Sequence, residues 1–160
     1  MKKRGTMKSI SRIAALTIVG ASLGVAQTDQ LNGTWVMNPT KSTYTPGPGP
    51  KSQTVLYLAS PEGVKVTATT IDASGKMVKT EYTAKYDGND YPVTGNADWD
   101  AIALKRIDSH TLEFTRKRAG KTVQTGTNVV STDGKTRTIT TTGVNAKGEK
   151  IRVVVVYDKK

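Results

Sequence analysis

The sequence predicts an all-β protein: an antiparallel up-and-down meander of about 8–10 strands closing into a small barrel. Three observations lead there. Turn formers punctuate the chain from residue 60 onward: Ser60-Pro61-Glu62-Gly63, Asp72-Ala73-Ser74-Gly75, Asp87-Gly88-Asn89-Asp90, Asp108-Ser109-His110, Ala119-Gly120, Thr132-Asp133-Gly134 and Asn145-Ala146-Lys147-Gly148. Gly and Asn supply the positive φ of tight hairpins, and Asp and Ser bond back to the turn backbone. The segments between are rich in β-branched residues, as in Thr138-Ile139-Thr140-Thr141-Thr142, and no helix-period pattern follows residue 27. The intervals are too short for crossover helices, so neighbouring strands pair antiparallel. A meander of this length has to remove its edges, by closing into a barrel or by folding over into a sandwich.

The elements follow in order. Lys2, Lys3, Arg4, Lys8 and Arg12 precede the uncharged stretch from Ile13 to Ala26, and Gly24-Val25-Ala26 offers small residues for cleavage before Gln27. This reads as a signal peptide over residues 1–26, too short to span ~30 Å of hydrocarbon. Residues 27–160 then form one domain. Leu31 to Met37 is the first strand. Residues 38–50, with Pro39, Pro46, Pro48 and Pro50, are a stiff Pro/Gly-rich connector. Strands are expected at 52–59, 64–71, 76–86, 101–107, 111–118, 121–131, 135–144 and 150–157, and Tyr91–Thr94 is a further short candidate.

Alternation assigns faces. Val78, Tyr82, Ala84 and Tyr86 share one side of their strand. Ile102 and Leu104 share parity with Arg106, and Leu112 and Phe114 with Arg116 and Arg118. Arginines on an apolar parity either snorkel at a barrel rim or form a cationic mouth for a carboxylate or phosphate. The last strand is apolar on both faces: Ile151, Val153, Val155 and Tyr157 on one, Val154 and Val156 with Arg152 on the other. Its outer face needs a cover, for which the first strand or the connector is the natural candidate.

Composition bounds the chemistry. There is no Cys, which excludes a disulfide framework, a thiol nucleophile, a zinc–thiolate site and an N-terminal lipidated Cys. The formal charge of +11 falls to +6 when the five leader cations are removed, leaving 19 Lys and Arg against 13 Asp and Glu. That balance favours anionic partners. For an exported chain, periplasmic or secreted after cleavage near Ala26, these are anionic envelope surfaces or acidic small molecules rather than nucleic acid. The mature chain has no transmembrane span, and its oligomeric state leaves no mark on the sequence.

Leu31-Asn32-Gly33-Thr34-Trp35 at the start of a meander resembles the Gly-x-Trp signature of the lipocalins and fatty-acid-binding proteins, the calycin group. The resemblance implies that Trp35 plugs the closed end of a barrel beside Gly33. It also implies that a basic residue near the C-terminal end, Arg152 or else Lys150, packs on the ring. Two departures are visible. A proline-rich connector stands where fatty-acid-binding proteins carry two helices, and Arg152-Val153-Val154 lacks the Tyr of their Arg-x-Tyr carboxylate clamp. A second resemblance is to exported bacterial proteins of unassigned function, carried by Lys51–Val55, Tyr86–Gly95 and Leu104–Asp108.

The remaining motifs are weak. His110, the one histidine, adjoins Asp108 and Ser109 in a turn, where the three cannot converge as a catalytic relay. With no Cys beside it, no transition-metal site is expected, and no cofactor. Asn96, Asp98 and Asp100 have the spacing of Ca²⁺ ligands but lack the glycine and distal glutamate of a calcium loop. Trp99 between them reads as a cap on the barrel end. The first functional expectation is a non-enzymatic barrel that binds a small apolar or amphiphilic ligand through Tyr82, Tyr86, Leu104, Arg106, Phe114 and Arg116. The second is a cavity-less module that meets anionic lipid or glycan through a basic face around Arg116-Lys117-Arg118 and Lys121. A third is a hydrolase using the loop carboxylates Asp87, Asp90, Asp98 and Asp100.

Overall fold

The computed structural model describes residues 29–160; the proposed signal peptide and its cleavage position lie outside the described residues. Eleven strands follow in order: β1 (Gly33–Met37), β2 (Thr43–Thr45), β3 (Ser52–Ala59), β4 (Gly63–Ile71), β5 (Met77–Lys85), β6 (Asp87–Thr94), β7 (Ala101–Arg106), β8 (Thr111–Arg118), β9 (Lys121–Val130), β10 (Thr136–Val144) and β11 (Lys150–Lys159). Every pairing is antiparallel. From β3 to β11 each strand pairs with the next, and β1 joins β3 to β11. Trp35 stands at the seam, opposite Val55 on one side and Lys159 on the other. Ten strands therefore close into a barrel, and closure removes the exposed edges that a meander would otherwise carry.

Strand direction defines two ends. Residues 29–32 and the turns at 60–62, 107–110 and 131–135 lie at one end, with Trp35 just inside. The turns at 72–76, 95–100, 119–120 and 145–149 and the connector lie at the other. At the first end the interior is filled by Trp35 (fully buried), Tyr57, Leu104, Leu112, Val130 and Tyr157. Trp35 Nε1 donates to Leu31 O at 2.8 Å, so the plug is hydrogen-bonded as well as packed.

Three details depart from the sequence reading. Asp87-Gly88-Asn89-Asp90 is not the turn between β5 and β6. That link is Tyr86 alone, and the four residues open β6, where the register against β7 shifts between Asp87 and Asp90. Gly88, at φ 77°, supplies the irregularity of this bulge. β6 in turn meets β5 only through Glu81↔Thr94 and Tyr82↔Val93; the next position is Pro92, which has no N–H to give.

The connector also contains a strand. β2 pairs with β11 at Arg152, Val153 and Val154, beyond the stretch that pairs with β1. Between the two contacts, Asn38 N donates to Val156 O at 2.8 Å and Val156 N to Ser42 Oγ at 3.0 Å. The expected cover for the valine strand is thus an edge cover. The first strand and the connector share one edge of β11, while Val154 and Val156 stay half-buried on the outer face.

Candidate functional site

The inward parity of β3, β5, β8, β9, β10 and β11 brings polar groups into the barrel beside the apolar ones. Arg116, Arg137, Gln53, Gln124, Asn128, Thr80 and Thr141 all lie on interior-facing positions with Tyr57, Tyr82 and Tyr157. Arg137 is fully buried. Its guanidinium lies 4.2 Å from the Tyr157 ring, 4.3 Å from Tyr57 and 5.2 Å from Trp35. None of its three nitrogens has a hydrogen-bond partner among the described residues. The rings solvate this cation through their π faces.

Arg116 is held differently. Its guanidinium lies 4.5 Å from the Trp99 ring and 4.4 Å from Phe114. Nη1 donates to Gln124 Oε1 at 3.0 Å, and Gln124 is itself fixed by donating from Nε2 to Val144 O at 3.2 Å. Nε is buried without a partner. No carboxylate stands within salt-bridge distance of Arg116 or Arg137 among the described residues. Burial pulls the Arg116 pKa below the usual arginine value, but a guanidinium stays cationic at neutral pH. Burial likewise pushes the Tyr82 and Tyr157 phenols well up, against the opposing pull of the two arginines.

The interior space is divided. An enclosed chamber of about 20 Å³ is bounded by Tyr57, Tyr82, Leu104, Phe114, Arg116 and Asn128 among others, which is room for about one water. Above it a cleft of about 330 Å³ opens to solvent, bounded by Tyr44, Pro50, Gln53, Trp99, Arg116, Gln124, Ile151, Val153 and Tyr157 among others. Arg116 borders both spaces. The lower half of the barrel holds only this small chamber, and the upper half is a concave, partly polar cleft at the small end of the range for small-molecule sites, ~300–1,000 Å³.

The residues expected from the sequence fall into separate groups. Tyr82, Leu104, Phe114 and Arg116 do converge on the enclosed chamber. Arg106 and Tyr86 do not join them, because β7 and β8 run in opposite directions and put Arg106 at the other end from Arg116. There Arg106 pairs with the buried Asp29 and stacks at 4.2 Å on Tyr86. Arg118 is exposed, displaced by a register shift between Arg116 and Lys117. Lys117 pairs with Asp90 at 2.7 Å. The expected basic face is therefore split, with Arg116 inside and Arg118 and Lys121 outside.

Arg152 is corrected. It faces outward on β11 and is exposed, so it cannot reach a ring inside the barrel. Lys150 is exposed too. The cations over Trp35 are Arg137 and, at 5.0 Å, Lys159. Gly33 has a role in this. It sits at φ 121°, and a Cβ there would come within 3.0 Å of Lys159 Cε. The Lys159 chain crosses Gly33 to reach Trp35 and donates from Nζ to Gln30 O at 3.0 Å.

Trp99 is expected to cap the barrel end, but that end is open: the ring is buried in the cleft wall, edge-on to Tyr82 at 6.2 Å between ring centres. The carboxylates beside it tie turns together. Asp98 Oδ1 accepts from Ala146 N at 2.7 Å and Asp100 Oδ2 from Ala119 N at 2.9 Å. Asp87 accepts from Asn89 N and Tyr91 Oη at the opposite end. The four acids named as hydrolase candidates thus sit at different places in the barrel and bond to different groups. His110 is a half-buried turn residue, with its backbone N–H on Asp108 Oδ1 and its ring on Ser109.

The architecture is a closed up-and-down β-barrel, plugged by tryptophan at one end and open at the other. A solved structure to which the chain is similar is zebrafish ileal bile acid-binding protein complexed with cholic acid. It is 12% identical, with 82% of this chain and 99% of that chain covered and a TM-score of 0.45. No family model matches the sequence, and no curated protein matches it.

Proposed function

We propose that this barrel is a non-enzymatic carrier of a small amphiphile with an anionic headgroup, exported and working outside the cytoplasm. The observation that carries the reading is Arg116. It is a guanidinium at the floor of an open cleft, sandwiched between two rings, with one nitrogen fixed by Gln124 and no carboxylate partner. A half-buried cation with its Nε shut off from water and no counter-charge is costly. A ligand carboxylate in the cleft supplies that charge through charge-assisted hydrogen bonds. The apolar part of such a ligand meets Ile151, Val153, Val155 and the Trp99 ring on the cleft wall. The cleft volume restricts the ligand to a compact molecule or to one that leaves part of its length in solvent.

Denaturing mass spectrometry of small molecules extracted from the purified protein tests this directly. A co-purifying amphiphilic acid at near-stoichiometric amount is expected, and it should be lost from the Arg116→Gln variant. Extraction of nothing, together with no change in tryptophan emission across a panel of amphiphilic acids, would refute carriage.

A further inference from the structure

The enclosed chamber is an interior space separate from the cleft. Four of the residues that bound it are polar: Tyr57, Tyr82, Arg116 and Asn128. Each has hydrogens to donate, from two phenol hydroxyls, a guanidinium and an amide NH2. No carboxylate bounds the chamber, and the rest of its wall is apolar. Asn128 is 5% exposed, and its Oδ1 accepts no hydrogen bond among the described residues. The carbonyl therefore does not fix the amide, which is free to turn its NH2 to the chamber. Strand β9 sets Asn128 between the two interior arginines. Gln124, the partner of Arg116, precedes it on the same face, and Val130, opposite Arg137, follows it.

The charge around the chamber has one sign. Arg116 bounds it, half-buried, with Nε unpartnered. Arg137 is fully buried and lies 4.3 Å from the ring of Tyr57, which also bounds the chamber. The carboxylate of Asp29 is buried too, but it is paired with Arg106 at the closed end. A ligand carboxylate in the cleft reaches Arg116 and not Arg137, which does not border the cleft. One interior cation is thus left without an anion, and buried charges are as a rule paired.

We propose that the chamber binds one chloride ion. Its volume of about 20 Å³ admits a single occupant of near-water size. A monatomic halide meets that limit; phosphate, sulfate and carboxylates do not. The ion accepts hydrogen bonds from the donors on the wall. A phenol that donates to an anion has a more electron-rich ring, so the Tyr57 face holds the Arg137 guanidinium more strongly. Water would fill the same space without offsetting either arginine.

Two measurements test the site. Neither uses a cleft ligand, so their outcome is separate from that of the carrier reading. In the first, the thermal midpoint is followed as chloride replaces isethionate at constant ionic strength. An ion bound only by the folded state should raise it by about 5 °C per tenfold rise in chloride once the site is filled. Asn128→Asp brings a carboxylate to the chamber wall in nearly the same shape and should abolish that dependence. In the second, crystals grown in sodium chloride are measured at long wavelength, where chlorine and sulfur both scatter anomalously and Met37 Sδ serves as the reference. A peak is expected in the chamber of the unaltered protein and not in Asn128→Asp. The peak in the unaltered protein decides the matter if Asn128→Asp fails to fold. A midpoint indifferent to chloride, a dependence that survives Asn128→Asp, or chamber density without anomalous signal, a water only, would each overturn the proposal.

Discussion

Arg116 and Arg137 show two ways of keeping a cation inside a barrel. Arg137 is surrounded by Trp35, Tyr57 and Tyr157 and borders neither interior space; it belongs to the plug. Arg116 has rings on its faces and an open cleft beside it; it is the one able to meet a ligand. Parity along Leu112, Phe114 and Arg116 was enough to place Arg116 inside. The same rule applied to Arg137, which shares parity with Ile139 and Thr141, would have found it. It is overlooked because a threonine-rich strand offers few apolar neighbours to mark the inward face. What alternation cannot register is depth along the barrel, so Arg106 is grouped with Arg116 although the chain direction separates them.

Packing at this scale is tight around Gly126. A Cβ there would lie 1.9 Å from Thr140 O and 2.6 Å from Phe114 Cζ. The Phe114 ring lies over this glycine, so Gly126→Ala has to displace either the ring or the β10 backbone. A loss of about 1–3 kcal/mol is expected, the usual cost of overpacking a filled core. Urea unfolding monitored by tryptophan fluorescence measures it.

Among the elements, β11 depends most on distant sequence. Nine of its ten residues, Lys150 to Asp158, are paired on one side by β10, and on the other side β1 and β2 pair in turn. The sequence revealed that this strand is apolar on both faces and needs a neighbour. It did not reveal that a proline-rich segment would supply three ladder residues, because Thr43-Tyr44-Thr45 is shorter than any run that alternation can assign. The bulged start of β6 was misread for a related reason. Asp-Gly-Asn-Asp has turn chemistry, and a bulge uses the same positive φ as a turn.

β2 is anchored by Tyr44. The Tyr44 ring packs on Gly49, where a Cβ would come within 2.2 Å of the ring, and its hydroxyl points to Met37 Sδ at 3.1 Å. Gly49→Val should expel the ring, release β2 and leave the edge of β11 at Arg152–Val154 unpaired. An unpaired apolar edge promotes intermolecular strand addition. Faster aggregation at unchanged fold content is the expected result, read by light scattering alongside circular dichroism.

At the scale of the whole molecule, the turns define the fold, and several of their Asp, Asn and Ser side chains serve backbone geometry rather than chemistry. The repeated turn formers made the meander legible. Closure and the division into a filled half and an open half are properties of three-dimensional packing, set by the meeting of Trp35 with Lys159 and by the filling of the lower barrel with rings.

Stability against alkali is also a global property. Burial raises the Tyr44 and Tyr86 phenols to about 12 and Tyr157 further still, against about 10 in the unfolded chain. Below pH 10 both states hold these protons and stability is unaffected. Above it the unfolded state releases them first, so stability falls with rising pH. The thermal midpoint should therefore be flat up to about pH 10 and decline steeply between roughly 10 and 12. A flat profile through that window would mean that these phenols are solvated in the folded protein.

The central claim is that the cleft recognises an anionic headgroup through Arg116, and matched titrations test it most directly. A medium-chain carboxylic acid and its methyl ester are titrated against the protein while the emission of Trp99 is followed, with Trp99→Phe identifying the signal. The acid should bind at least about tenfold more tightly than the ester, the scale of a charged hydrogen bond. Arg116→Gln should bring the two to the same affinity without loss of fold. Equal affinity of acid and ester in the unaltered protein, or an acid preference that survives Arg116→Gln, would contradict the claim.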